Sequence, residues 1–383
     1  MRLAVLSSHP IQYYAPLFRA LAHRLDLHVF FAHRATPEQQ AAAGFGAAFD
    51  WDIDLTAGYP HSFLRNVASE PSAARFAGCD TPEIGAALRD GRFDVVLALG
   101  WHLKSMLQGI VAAKRAGMRV MVRGDSHLDT PRSRLKRVAK AVGYPPLLRI
   151  FDAALFVGAR NKAYYEHYRY PSERLFRSPH CVDTERFGRA ATVEARHRLR
   201  ARLGVGEAAR LVLFAGKLVD FKRPLDAVDA IALLRRRGID AALLVAGAGP
   251  LEPLLRARAA EAGVPIHPLG FRNQTEMPEA YAAADALVLP SDGRESWGLV
   301  CNEALASGCP IVVSEAVGCA PDLAADGLVG RTFPLGDTGA LAAALAALCA
   351  TPPSRSAIDA VSARFSIDAA ADGIIAAAGA AET

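Results

Sequence analysis

The chain has 383 residues, 51% of them apolar and spread evenly, too many for one average domain and enough to build two cores. Its net charge of +5 comes with arginine outnumbering lysine and without a compact aromatic-basic platform, so no nucleic acid partner is expected. No apolar run reaches the roughly 18 residues that span a bilayer, and the run after Met1-Arg2 is only Leu3 to Leu6, which reads as a first strand in a cytoplasmic protein, at most peripheral at the inner face of a membrane.

Short apolar or β-branched runs alternate with longer amphipathic ones, the pattern of parallel sheets covered by helices. In the first half strands are expected at 3–6, 27–31, 95–99, 119–122 and 154–156. In the second they are expected at 211–215, 242–246, 266–269, 286–289 and 310–313. Between them the repeat pauses at Ser178-Pro179-His180-Cys181-Val182-Asp183, ahead of a basic helix at Val193–Leu203. The expected organisation is two Rossmann-like domains, 1–183 and 184–383, with a cleft between them. The alanine-rich tail from Ala340, broken by Pro352-Pro353, reads as helices filling the second half, with the last one free to pack back onto the N-terminal domain. Six cysteines (79, 181, 301, 309, 319, 349) form no CxxC pair and are expected to be reduced and half buried.

Ligands of open parallel sheets bind beyond the carboxyl ends of strands. In the first half those ends carry His9, Trp101, His102, Asp125 and His127, acceptor-side candidates of which at least one histidine is expected to act. No two share a close ligand spacing, so no metal site is expected there. Asp52-Ile53-Asp54 is better explained by alternation along a strand than by a metal motif. In the second half the ends carry Gly216-Lys217 with Lys222, then Gly247-x-Gly249, then Phe271. Two lysines at one edge can neutralise a diphosphate, and glycines let backbone approach a ligand. The pair Gly247-x-Gly249 lacks a third glycine and does not follow the domain's first strand, which argues against a dehydrogenase.

The most informative stretch is 290–318, PSDGRESWGLVCNEALASGCPIVVSEAVG. Glu295 falls in a strand-end loop, Trp297-Gly298-Leu299-Val300 opens a helix, and Glu303 lies on that helix near its start. Carboxylates that accept hydroxyls beside the unpaired N–H groups of a helix start, which favour phosphate, suit a nucleotide sugar.

From Gly216-Lys217-Leu218 through Lys222, Gly247-Ala248-Gly249-Pro250-Leu251, Leu269-Gly270-Phe271, Pro290-Ser291, Glu295 to Glu303 and Gly318, the chain resembles the family-4 retaining glycosyltransferases of GT-B architecture. The match holds order and spacing over roughly residues 210 to 335. The first half is similar more loosely. It has Ser7-Ser8-His9-Pro10 where the family has a glycine-rich turn, Arg123-Gly124-Asp125-Ser126-His127 around the family's His-Asp, and His180-Cys181-Val182-Asp183 for Asn-Gly-Val-Asp. The resemblance implies a GT-B fold and transfer, with retention, from a nucleotide-diphosphate sugar to an acceptor hydroxyl in polysaccharide or glycoconjugate biosynthesis. It implies that Glu303 binds ribose hydroxyls and Glu295 a donor-sugar hydroxyl, and that Asp125 or His127 is the loop residue. The diphosphate falls to Lys217, Lys222 and the N–H groups near Gly298, with no cofactor or metal.

The acceptor is a saccharide, a lipid-linked saccharide or another small molecule. The basic-apolar segment 132–149 suits contact with an anionic membrane as well as a solvated helix edge. The competing functions are a nucleotide-sugar 2-epimerase-like isomerase and a non-catalytic nucleotide-sugar-binding relic.

Overall fold

A computed structural model describes residues 1–41 and 48–380. The first sheet is built from β1 (Arg2–Ser7), β2 (Asp26–Phe31), β3 (His61–Phe63), β4 (Val95–Leu99), β5 (Arg119–Gly124), β6 (Ala153–Phe156) and β7 (Leu175–Arg177). The second contains β8 (Arg210–Ala215), β9 (Ala241–Ala246), β10 (Ile266–Gly270), β11 (Ala286–Leu289), β12 (Ile311–Ser314) and β13 (Gly330–Phe333). Strand order is β3-β2-β1-β4-β5-β6-β7 in one and β10-β9-β8-β11-β12-β13 in the other. Every pairing is parallel. Buried on both faces, the central strands are continuous apolar runs, as in Leu211 to Ala215. Each order reverses once, between β1 and β4 and between β8 and β11, which opens a crevice at each switch point.

Three strands, β3, β7 and β13, were absent from the sequence expectation, and all three lie at sheet edges. An edge strand is covered less completely, so its sequence need not be apolar: His61–Phe63 is only partly buried along its length. The segment Asp52-Ile53-Asp54 is not a strand, contrary to expectation. Oδ1 of Asp54 instead accepts from the N–H groups of Thr56 and Ala57, a side-chain turn that competes with extended structure. Oδ2 of Asp52 accepts from the Thr275 N–H at 2.9 Å, linking the two halves.

The alanine-rich tail divides. Helix Thr338–Ala350 packs on helix Pro224–Arg236 in the second half, but Ile367–Gly379 returns to the first sheet. There Ala370, Ala371, Ile374 and Ala377 join the core of Leu3, Val5 and Leu155. Small side chains let this helix lie close to β7: a Cβ on Gly373 would fall 1.8 Å from the Arg177 carbonyl. The basic helix Val193–Leu203 is anchored through two of its arginines. Arg196 and the buried Arg200 converge on Asp285, whose Oδ2 accepts from the Leu211 N–H, so a charge cluster pins the start of β8.

Candidate active site

The second half's strand ends line a cleft of about 600 Å³. Gly216 and Lys217 come from the end of β8, Gly247 and Ala248 from β9, Phe271 and Arg272 from β10, and Val300 and Glu303 from helix Leu299–Ala306. Gln12 and Trp51 close it from the first half. Glycine is required at Gly247 by the fold: φ is 151° and a Cβ would sit 1.9 Å from the Gly216 carbonyl. The same holds at Gly249, where φ is 156° and a Cβ would strike the Leu218 carbonyl at 2.6 Å. Gly249 lines neither this cleft, nor a second one within the first half, nor a smaller third cavity between Gln12, Asp183, Arg186 and Glu303, and its φ and close backbone contact alone require glycine there.

Glu303 is buried on the second turn of its helix, where the Tyr281 hydroxyl donates to Oε2 at 2.7 Å. Burial pushes its carboxyl up, against the opposing pull of Tyr281, Gln274 and Arg186. Burial likewise lowers the Lys217 ammonium, with the Lys222 charge adding to the effect and Glu295 opposing it. Lys222 and Glu295 pair with each other, and Ser291 Oγ donates to the same Glu295 oxygen at 3.2 Å. Neither lines the three cavities, so the lysine and the glutamate expected to meet the donor hold one another here.

The two ends of the 290–318 stretch fold together. The Gly318 N–H donates to the Glu295 carbonyl and the Cys319 N–H to the Trp297 carbonyl, both at 3.0 Å. No side chain fits between them, since a Cβ on Gly318 would lie 1.8 Å from the Ser296 carbonyl. Gly298, at φ 98°, starts helix Leu299–Ala306, and its carbonyl accepts from the Cys301 N–H at 2.9 Å, closing the first turn. Trp297 is a correction. Its ring is buried, its Nε1 donates to Asn302 Oδ1 at 2.8 Å, and it packs on His180 and Phe365. It is a junction residue of the core, placed there because Gly158 leaves room for the ring.

A second cleft of about 1020 Å³ opens at the β1/β4 switch of the first half. Trp101, His102, Asp125, Lys140, Tyr144 and His180 are among its lining residues. Ser296 of the second half, the residue beside Glu295, donates to Asp125 Oδ2 at 2.6 Å, which ties the second half to a carboxylate of this cleft. Burial works against ionisation of Asp125, but the His180 imidazole and the Ser296 hydroxyl facing it outweigh that and hold its carboxyl well below the usual range. Arg123 forms the floor: it is buried and donates to the carbonyls of Ser178 and Pro179 and to the Tyr14 hydroxyl.

Two expected histidines stand apart from this cleft. His127 is buried beside Thr130 and Asp129 and lines none of the three cavities, so Asp125 is the loop residue that faces the cleft. His9 lines none of them either. Its Nδ1 bonds Ser8 Oγ at 2.9 Å, and burial, with His33 adding to it, pushes its imidazole down to about 4. Sequence reasoning missed Gln12, Trp51 and Ser296, polar or aromatic residues with no motif of their own. Among the described residues no group of three or more His, Cys, Asp or Glu side chains is placed to hold a metal ion. All six cysteines are free thiols, five buried and Cys349 partly so.

A family model described as Glycosyl transferases group 1 matches residues 195–363. The GDP-mannose-dependent alpha-(1-6)-phosphatidylinositol monomannoside mannosyltransferase of Mycolicibacterium smegmatis is 31% identical over 271 residues, covering 67% of this chain and 68% of that protein. The D-inositol 3-phosphate glycosyltransferase of Corynebacterium glutamicum is 30% identical over 247 residues, covering 61% of this chain and 56% of its own length. Among solved structures, Anabaena HepE in complex with UDP superposes with a TM-score of 0.74 at 16% identity, over 98% of both chains. A glycosyltransferase from Rickettsia africae gives 0.73 at 13% identity over 98% of this chain and 97% of its own. Both neighbours share the fold of two parallel-sheet domains, GT-B.

Proposed function

The chain belongs to the glycosyl transferases of group 1, and from that premise we propose how its two clefts divide a transfer reaction. A nucleoside-diphosphate sugar binds at the ends of β8, β9 and β10, and an acceptor hydroxyl enters from the Asp125 cleft. The observation that carries this is the meeting of Gly216-Lys217, Gly247 and Glu303 around one cavity at a switch point. Glu303, held on one oxygen by Tyr281, accepts ribose hydroxyls on its remaining lone pairs. The diphosphate lies against Lys217, Lys222 and the start of helix Leu299–Ala306, where fixed positive charge stabilises the leaving group as its bond to the sugar breaks. Binding it separates the Lys222–Glu295 pair, freeing Glu295 for a hydroxyl of the donor sugar.

A carboxylate held as low as Asp125 is a weak base, so its part is to orient the acceptor hydroxyl. The proton goes to the departing phosphate oxygen, on the face from which the acceptor attacks, and the configuration at the anomeric carbon is retained. No resident metal is needed, because the lysines and the helix start supply the charge.

GDP-mannose is the first donor to try, since the mannosyltransferase relative is named for it. A thermal-shift screen against GDP-, UDP-, dTDP-, ADP- and CMP-sugars, with and without EDTA, tests the reading. Stabilisation by one nucleotide class, unchanged by EDTA, is expected. Stabilisation by none would remove the donor assignment.

The acceptor is a lipid-linked or membrane-surface molecule on this reading. Helix Arg134–Leu148 carries exposed Leu135, Val138 and Val142 along one stripe, with Arg134 and Lys136 on its flanks. Lys140 and Tyr144 of the same helix line the acceptor cleft, so a bilayer under the stripe would lie beside the site. Among the described residues no helix is long and apolar enough to cross a membrane.

A further inference from the structure

His180 sits where the chain crosses between the two halves and is tied to both. Its N–H donates to the Val157 carbonyl and its carbonyl accepts from Asn302 Nδ2, each at 3.3 Å. The imidazole is 4% exposed, packs against Trp297 and Tyr13, and has no hydrogen-bond partner on either ring nitrogen. A buried ring with an unmade N–H bond is rare, because such groups are almost always satisfied. The facing acceptor is Oδ2 of Asp125, 3.9 Å from Nε2, which is about 1 Å beyond hydrogen-bond length. The same carboxylate is bonded from the other half by Ser296, so any shift of one half on the other alters the gap.

We propose that His180 is the positioning residue of Asp125: when the halves close on the donor, Nε2–H donates to Oδ2 and turns the other carboxylate oxygen toward the acceptor hydroxyl. This rests on the transfer reading above and adds a residue to it. The groups facing the imidazole are Asp125 and Arg123 from the end of β5, Tyr13 from the turn after β1, and the adjoining Cys181. Burial, with Arg123 adding to it, lowers the imidazole, and Asp125 works the other way. The ring therefore enters the neutral range as a neutral donor. Acidification makes it an imidazolium that draws charge from Asp125, so transfer should fall on the acid side.

The test measures GDP released from GDP-mannose with water as acceptor, across pH, for the wild type, His180→Asn, His180→Gln and Asp125→Asn. At saturating donor, where loss of affinity through Glu303 does not enter, His180→Asn should lose about tenfold in kcat and lose the acid limb of kcat, and His180→Gln, whose amide reaches the same oxygen, should recover part of the rate. His180→Asn in an Asp125→Asn background should cost nothing further. A His180→Asn enzyme that keeps the wild-type pH profile overturns the proposal, since a structural role would scale the rate without changing its shape. Independently of turnover, the His180 ring titrated by NMR in the GDP complex should protonate at lower pH in Asp125→Asn, and an unchanged titration would also overturn it. Calorimetric binding of GDP to the wild type checks the donor reading separately, so its failure counts against that reading and not against His180.

Discussion

The sheets of β1–β7 and β8–β13 follow one plan, with every pair parallel and a cleft at the strand ends, yet they present different chemistry there. In the second, each of the strands β8, β9 and β10 is followed directly by a residue that lines one cavity, Gly216, Gly247 and Phe271, and one helix adds Glu303. In the first, the cleft is assembled from separated pieces: Tyr13 after β1, Trp101 and His102 after β4, Asp125 after β5, Lys140 from a helix, and His180 from the crossing. On the proposed reading, a donor with a fixed nucleotide and diphosphate is met by regularly spaced backbone and charge. On the same reading an acceptor that differs between enzymes is met largely by loops, the part of a fold that changes most freely.

Substitutions can break or sharpen that contrast. Lys222→Ala should lower turnover about 10- to 150-fold, the rate equivalent of a charge-assisted hydrogen bond of roughly 1.5–3 kcal/mol. Because Lys222 pairs with Glu295, Glu295→Gln added to it should cost less than the two single losses combined. A double-variant cycle measures this, and full additivity would separate the two residues. Asp125→Asn should cost about 10- to 100-fold in transfer and leave nucleotide affinity within about twofold. An equal loss of both would erase the division between donor and acceptor halves.

Glu303→Gln should weaken nucleotide binding by about tenfold. With its carboxyl raised by burial, the wild type should lose donor affinity as pH falls through that raised value, earlier than an ordinary carboxylate would. The glutamine variant should show no such dependence, which calorimetry at a series of pH values would detect. Smallest is the surface effect. Leu135→Ser with Val142→Ser should reduce co-sedimentation with anionic vesicles by about threefold, and wild-type indifference to lipid charge would discard the membrane contact.

The second half was readable because its signals are local. Gly216-Lys217, Gly247, Glu295 and Glu303 sit at fixed offsets from apolar strands, and strands and offsets are both visible in one dimension. What failed to show was decided by packing across the cleft. Ser296 meets Asp125 across 171 residues of chain, and no local pattern predicts that contact. Trp297 stands between two glutamates expected to meet the donor and looks like a ligand contact, but Asn302 and Gly158 draw it into the core. His127 and His9 follow strands as the rule requires, yet loop geometry turns them away from the three cavities. Edge strands β3, β7 and β13 were invisible because partial cover removes the apolar signature.

The central claim is that the second half binds a nucleotide sugar at the ends of its strands, and calorimetric titration with GDP-mannose and UDP-glucose tests it most directly, comparing wild type with Glu303→Gln. The account predicts saturable binding of one of the two, weakened about tenfold by the substitution while the thermal midpoint of the free protein holds. Binding that ignores Glu303→Gln, or no binding of either sugar nucleotide, would contradict it.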